Sequence, residues 1–441
     1  MQAPSEPTAS ESNRAVQRAL EPSASAGLKA SVVTQMQRVD GLLGPILCFL
    51  ATCLRYLAPE RSPQGPPRSI VFIKLSEQGA TVLAGAALRE AVRRAGREQV
   101  YFVTFTGNRE ILDLMDVIPR ENVIELASGS VLAFLRGVLQ LILHFRRLRP
   151  QAAIDLDFFT RASALLTWAT GAPRRVGLHA YFGEGPYRGD LLTHRCRYNP
   201  HWHTAKFFLA LVRALDQAPE DFPTWPVVGD DEGALRPPRP RLPEAARRSA
   251  EELILSRFGL SAIPVVVLLN ANCSDLMPLR KWVPERYVEL AHLLLERHPE
   301  LYILFTGGPS EAEETNALAA RIPSPRCASI AGRTTLTELL AVYDLAAVLV
   351  TNDSGPVHFA SLTHIKTVAL FGPETPALFG PIGDGAVALT ASLACSPCVS
   401  AQNSRQSKCR ENRCMSAISV QSVYAAVAAR LPVPEAAPSR S

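Results

Sequence analysis

Apolar runs of strand length alternate with amphipathic runs of helix length through most of this chain. SIVFIKL (69–75) is almost continuously apolar, as a strand buried on both faces requires. A polar turn containing Gly79 follows, then an Ala-rich helical segment closing at Gly96, then the apolar run VYFVTF (100–105). Strand, glycine turn, helix and strand begin a βαβ unit and predict a parallel sheet. ENVIEL (121–126) and QAAIDLDF (151–158) continue the alternation, with a long basic helix expected over 131–149.

The second half repeats the pattern. PVVVLLNA (264–271) and LYILFTGG (301–308) are strand-like, and helical runs lie at 283–298, 310–322 and 336–346. Two further strands, 346–350 and 367–371, flank the turn Asn352-Asp353-Ser354-Gly355-Pro356 and a short helix. The Pro-rich stretch GDDEGALRPPRPRLPEAA (229–246) separates the halves. The expected organisation is an N-terminal tail with an apolar helix (1–66), a first Rossmann-like domain (67–228) and a linker with a helix (229–262). A second Rossmann-like domain (263–432) and a tail (433–441) complete it. Two doubly wound α/β domains facing a cleft would bind ligands beyond the carboxyl ends of their strands.

One apolar run has no place in the alternation. GLLGPILCFLATCLRYLAP (41–59) is apolar without interruption only as far as Leu54, contains Pro45, and is flanked by Arg38, Arg55 and Arg61. It is short for a bilayer span, which takes about 20 residues, and lies too far behind a polar tail for a typical signal peptide. Three readings remain: a helix lying in the headgroup region, a helix packed on the protein's own surface, or a true span.

Composition narrows the partners. The chain has 441 residues, 47% hydrophobic and 20% charged, which suits two globular domains. A net charge of +5 and a pI near 8.7 fit an anionic substrate or an anionic membrane surface and give no sign of a nucleic-acid partner. Nine cysteines, five of them scattered singly, indicate a reducing compartment. There is no GxxxxGK[ST] and no GxGxxG, so neither a P-loop hydrolase nor an NAD enzyme is supported.

Three turns carry candidate chemistry. At 352–358, Ser354, Gly355 and Val357 offer N–H groups at a helix start, and His358 lies one turn on, a combination suited to an anion. Arg280 and Lys281 precede the helix begun by Pro284, and a lysine there can neutralise a diphosphate. Glu311 follows a Gly-Gly-Pro turn at a strand end, where a carboxylate either accepts from ribose hydroxyls or complements its own helix N-terminus.

These residues resemble glycosyltransferase family nine, the bacterial lipopolysaccharide heptosyltransferases and their relatives. NDSGPVHFASLTHIKTVALFGPETP resembles that family's D-[ST]-G-x-x-H motif with its following strand and turn. KWVPERYVELAHLL resembles its [KR]-x-W-P-x-x-x-[FWY] segment, and FTGGPSEAEE its Gly-Gly-Pro turn. The likeness covers about 68–429. It implies a GT-B fold and an inverting, metal-independent transfer of a hexose or heptose from a nucleoside-diphosphate sugar of the ADP-heptose kind. The acceptor would be a cell-envelope glycolipid or glycan, and the enzyme cytoplasmic, in peripheral contact with the inner membrane. Carried over residue by residue, Lys281 and His358 face the diphosphate, Asp353, Ser354 and Gly355 form its loop, and Glu311 holds the ribose.

One position departs from the family. Its proposed catalytic aspartate is Ala80 here. Glu77, three residues earlier, is the expected base, with Asp155 and Asp157 as alternatives and capping of the helix as the competing role for Glu77. The missing aspartate also keeps open a non-catalytic nucleotide-sugar or glycan-binding protein. Arg109, Arg161, Arg174, Arg175 and His203 are acceptor-side candidates, each with a plain surface role as the alternative. Cys395, Cys398, Cys409 and Cys414 form C-x2-C-x10-C-x4-C, read as a structural zinc site, free thiols or an adventitious disulfide.

Overall fold

The computed structural model describes residues 30–57, 65–127, 131–183, 185–222, 229, 232–273, 277–403 and 405–432. Residues 1–29 of the tail expected over 1–40, the tail expected at 433–441, and Arg61 lie outside them; residues 30–40 are helical instead. The chain forms two compact units: Met1–Pro238 with Ser400–Gln406, and Arg239–Val399 with Ser407–Ser441. The helix Glu244–Phe258, expected in the linker, packs in the second unit against Leu336–Leu345, with Ser249 Oγ donating to Glu338 Oε1 at 2.8 Å.

Each unit is built on a six-stranded parallel sheet. In the first, β1 (Ile70–Ile73), β2 (Val100–Phe105), β3 (Val123–Leu126), β4 (Ala152–Asp155), β5 (Arg174–Leu178) and β6 (His194–Cys196) run in the order β3-β2-β1-β4-β5-β6. In the second, β7 (Val265–Asn270), β8 (Leu301–Phe305), β9 (Cys327–Ser329), β10 (Val348–Asn352), β11 (Lys366–Leu370) and β12 (Val387–Leu389) run β12-β11-β10-β7-β8-β9. Both are the doubly wound Rossmann order. Chain direction across the sheet reverses between β1 and β4, and between β7 and β10, which opens a crevice at the carboxyl ends of those pairs.

The central strands are buried throughout β1, β2, β4 and β10, which is why they read as unbroken apolar runs. The helix Pro284–Arg297 starts with proline at its first position and buries Tyr287, Leu290, Ala291 and Leu294. Trp282, just ahead of it, is fully buried, and its Nε1–H donates to Ile418 O at 3.0 Å. Emptying a site of that size costs about 3–5 kcal/mol, so the segment carrying Arg280 and Lys281 is firmly held.

The apolar N-terminal run is part of one helix, Ala30–Leu57, with Pro45 inside it. Its last 20 residues, Arg38–Leu57, are long and apolar enough to cross a membrane by length and composition.

Two histidines are buried in the first unit. Burial drives His144 and His194 down from 6.5 to about 4. As pH falls from 6.5 to 4 the unfolded chain binds protons that the folded chain refuses. This contribution to stability is therefore present above 6.5 and lost on acidification, at about 1.4 kcal/mol per pH unit of separation. Neither ring nitrogen of His144 has a hydrogen-bond partner among the described residues. Thermal melts from pH 7.5 to 4.5 are expected to fall steeply for the native chain and less steeply for His144→Phe.

Candidate functional site

The carboxyl end of β1 continues into Lys74, Leu75 and a tight turn. Lys74 is 1% exposed, an expensive location for an ammonium, and its Nζ meets Asp157 Oδ1 at 2.8 Å and Glu77 Oε2 at 3.3 Å. Burial works against the charged lysine, but the two carboxylates outweigh it and hold its pKa above the ordinary value. Asp157 Oδ2 accepts from the Leu75 N–H at 3.0 Å, and Asn108 Nδ2 donates to Leu75 O at 3.0 Å. The turn is thus pinned from β4 and from the loop after β2.

This pinning holds Glu77 at φ 73°, left-handed for a residue with a side chain. Such a conformation costs about 1–3 kcal/mol and clusters at functional sites. The Glu77 carbonyl accepts from Thr81 N at 3.0 Å and starts the helix Gln78–Leu83, while its carboxylate makes no capping bond. The competing capping role therefore belongs to the main chain. The side chain is 41% exposed and lies between Lys74 and the guanidinium of Arg405. Ala80 is buried in the same helix.

The alternative bases sit in a different environment. Asp155 is 1% exposed and accepts from Arg188, from Ser163 Oγ at 3.0 Å and from Asp157 N at 3.0 Å. Burial pushes its carboxyl up to about 6, against the pull of Arg188. Asp157 is 5% exposed and bound to Lys74. Of the three carboxylates, only Glu77 reaches solvent freely.

At the second switch point, Asn352 ends β10 and organises the edge. Its Oδ1 accepts from Trp282 N at 3.0 Å and Tyr287 Oη at 3.1 Å; its Nδ2 donates to Ala271 O and Asn272 O, both at 3.1 Å. Gly307 is needed because a Cβ there would lie 2.6 Å from Asn272 Nδ2. Asp353 is 2% exposed, with its N–H on Leu370 O at 3.0 Å. Arg280 Nε stands 3.2 Å from Asp353 Oδ2, and Arg280 Nη2 stands 3.7 Å from Oε2 of Glu374, itself 1% exposed. The Nε contact lacks hydrogen-bond geometry.

Ser354 Oγ donates back to Asn352 O at 3.3 Å rather than capping the six-residue helix Gly355–Ala360. The Val357 N–H is taken by Ser354 O at 3.1 Å, so it is not among the N–H groups on offer. A Cβ at Gly355 would come within 3.2 Å of the Phe359 ring, a packing reason for that glycine. His358 is buried in this helix.

Lys281 points elsewhere, with Nζ 3.4 Å from the exposed Glu314. The structure therefore brings Arg280, not Lys281, to Asp353. Glu311 Oε2 accepts from the Gly308 N–H at 2.7 Å, the helix-terminus role weighed for it. The sequence signal for Glu374 is a lone carboxylate between prolines in an otherwise apolar stretch. A pocket of about 270 Å³ in this unit, beside Asn272, Glu314 and Arg321, includes none of the expected site residues.

The acceptor-side candidates are dispersed. Arg109 pairs with Asp113 and Glu125, Arg175 donates to Leu191 O and Ala172 O, and Arg174 donates to Gly65 O. Arg161 donates to Tyr187 O and pairs with Asp40, and His203 Nδ1 accepts from Ala205 N. Cys395, Cys398, Cys409 and Cys414 form no disulfide, and among the described residues no group of three or more His, Cys, Asp or Glu is arranged to hold a metal ion.

The family model described as glycosyltransferase family 9 (heptosyltransferase) matches residues 143–408, more than half of the chain. Lipopolysaccharide heptosyltransferase 2 of Escherichia coli (strain K12) is 26% identical over 236 residues, 50% of this chain. Its Salmonella typhimurium counterpart is 28% identical over 236 residues. The chain spans 59% of the length of each of these relatives. The solved E. coli ADP-heptose LPS heptosyltransferase II superposes with a TM-score of 0.61 over 82% of this chain and 98% of that one, at 20% identity. A glycosyl transferase family 9 structure from Veillonella parvula gives 0.61 over 82% and 96%, also at 20% identity. The two Rossmann-like units are thus a GT-B fold.

Proposed function

The chain belongs to glycosyltransferase family 9, and from that premise we propose that it moves a heptose-class sugar from an ADP-heptose-like donor to a hydroxyl of a lipopolysaccharide-type glycolipid or glycan. The observation that carries the reading is the pair of polar clusters, one at each sheet's switch point: an accessible carboxylate in the first unit and a cation in the second. The acceptor oxygen attacks the anomeric carbon and passes its proton to Glu77. The bond from that carbon to the diphosphate oxygen breaks, and the electron pair leaves with the nucleoside diphosphate. One in-line displacement inverts the anomeric centre. Lys74, held by Asp157, and Arg405 hold the Glu77 carboxylate in place.

The leaving diphosphate needs positive charge, and preorganised donors supply it best. Arg280 is the cation we assign to it, with His358 and the Asp353–Gly355 loop beside it. Glu311 is proposed for the ribose, which requires it to exchange its bond with Gly308. This assignment calls on no metal. We propose the inner face of the cytoplasmic membrane as the location, where a lipid-linked acceptor would be met.

Ala80 favours a second reading, a nucleotide-sugar-binding protein without turnover. Both readings are tested by warming the full chain with ADP-heptose and with other nucleoside-diphosphate sugars. A donor at 100 times its Kd stabilises by about 2.7 kcal/mol, a clear rise in Tm. No rise with any such sugar would overturn both readings, while a rise without acceptor-dependent donor consumption would leave the binding protein.

A further inference from the structure

The helix Ala30–Leu57 is mounted inside out. A stripe of polar and small residues meets the protein, and most of its large apolar residues face away. Asp40 Oδ1 accepts from Ala162 N at 2.8 Å, serving the N-terminus of the helix Arg161–Ala169, whose own Thr160 makes no capping bond. Gly44 lies against Arg161 so closely that a Cβ would come within 2.5 Å of it. Thr52 Oγ1 accepts from Asp190 N at 2.9 Å, and Arg55 pairs with Asp190 at 2.9 Å. Gly189, at φ 68°, admits the helix backbone where any side chain would collide with Cys48 O at 2.6 Å. Asp40, Gly44, Cys48, Thr52 and Arg55 form one stripe at the four-residue helical spacing and its three-residue variant.

The opposite face carries Leu42, Leu43, Ile46, Phe49, Leu50 and Leu54, each more than half exposed. A contiguous apolar face of this kind marks an interaction site. A second stripe, Leu135, Leu139 and Leu143 on the helix Val131–Leu148, is exposed to the same degree. Both helices rest on one core cluster, through Met36 and through Phe134 and Val138.

Charge selects the occupant. The only acid in Ala30–Leu57 is Asp40, which is turned inward, and Val131–Leu148 has none. Arg38, Arg136, Arg146, Arg147 and Arg149 are exposed. A second copy of the chain would oppose these arginines with arginines, whereas an anionic lipid surface supplies the counter-charge. Polar bonds from Asp40 to Arg55 hold the helix along the protein's flank. The apolar stretch from Leu42 to Leu54 is about 20 Å long at 1.5 Å per residue, short of a hydrocarbon core of about 30 Å.

We infer that Ala30–Leu57 lies in the plane of an anionic bilayer, apolar face down, with the Leu135–Leu143 stripe sharing the contact. Only which leaflet is met rests on the glycosyltransferase reading.

Vesicle co-sedimentation of the full chain tests it. Binding to vesicles containing phosphatidylglycerol, weaker binding to pure phosphatidylcholine, and weakening with salt are expected. Ile46→Asp with Leu50→Asp should lower partitioning at least tenfold, and Leu135→Ser with Leu139→Ser severalfold. Melting temperature and the donor-induced shift should not move, because these side chains are exposed. No sedimentation of the native chain at low salt would overturn the proposal. So would a soluble dimer abolished by the Ile46/Leu50 pair, and so would retention in membranes through an alkaline carbonate wash, which marks a spanning helix. An unchanged partition for the Leu135/Leu139 pair would remove the second stripe from the contact.

Discussion

Glu77→Gln is expected to lower turnover by about 10²–10⁴, the usual contribution of a general base, with donor affinity unchanged. Glutamine keeps the shape, but its single amide oxygen can accept from Lys74 or from Arg405 and not from both, and it cannot take the acceptor's proton. The measurement is donor consumption against acceptor concentration, with the donor-induced thermal shift as the control for binding. Asp157→Asn is the informative comparison. It removes the closer partner of a fully buried lysine, and breaking such a pair costs about 3–5 kcal/mol. It should therefore lower Tm, which Glu77→Gln at a 41% exposed side chain should not do. Undiminished turnover in Glu77→Gln would remove Glu77 from the reaction. The buried, ion-paired Asp155 and Asp157 would then be the carboxylates left at that switch point.

Arg280→Ala is expected to weaken donor binding and lower turnover together, by about 10²–10³ in turnover if it meets the leaving diphosphate as a preorganised donor. It also leaves Asp353 and Glu374 buried without the cation beside them, so a fall in stability accompanies it. Arg280→Lys separates the two effects. It keeps a charge near both carboxylates and so most of the stability, but loses the planar fork that matches phosphate oxygens. Lys281→Ala is the opposing control. Its exposed pair with Glu314 is worth at most about 1 kcal/mol, and donor binding should stay close to that of the native chain. If Lys281→Ala abolishes donor binding and Arg280→Ala does not, the assignment between the neighbours is reversed.

Much of the fold was legible along the chain. VYFVTF became β2 residue for residue, and the buried runs of β1, β4, β7, β8 and β10 all became central strands, because burial on both faces leaves an apolar run that little else mimics. The short outer strands β5, β6, β9 and β12 were not anticipated. They have three to five residues, too few to show a period, and Arg174–Leu178 and His194–Cys196 are in addition partly polar, so neither length nor pattern marks them. Residue type and the family's motif order are enough to single out Glu77 and the Asp353–His358 turn as candidates.

The sequence alone settled the parallel α/β class, the two-unit plan, the family likeness, and that the family's aspartate is an alanine here. Those are local properties: periodicity, turn chemistry and the order of short motifs. Tertiary structure alone decided that Arg280 rather than Lys281 meets Asp353. Arg280 closes the short 3-10 turn Pro278–Arg280 and Lys281 leaves it in extended backbone, so their side chains part, and the Trp282 N–H on Asn352 Oδ1 fixes where the segment lies. It alone joined Arg405 to Glu77, 328 residues apart in the chain, and turned the apolar face of Ala30–Leu57 outward. Hydrophobic patterning gives the width of a helix's apolar stripe, but whether that stripe meets the core or leaves it depends on which neighbours can bond its other face.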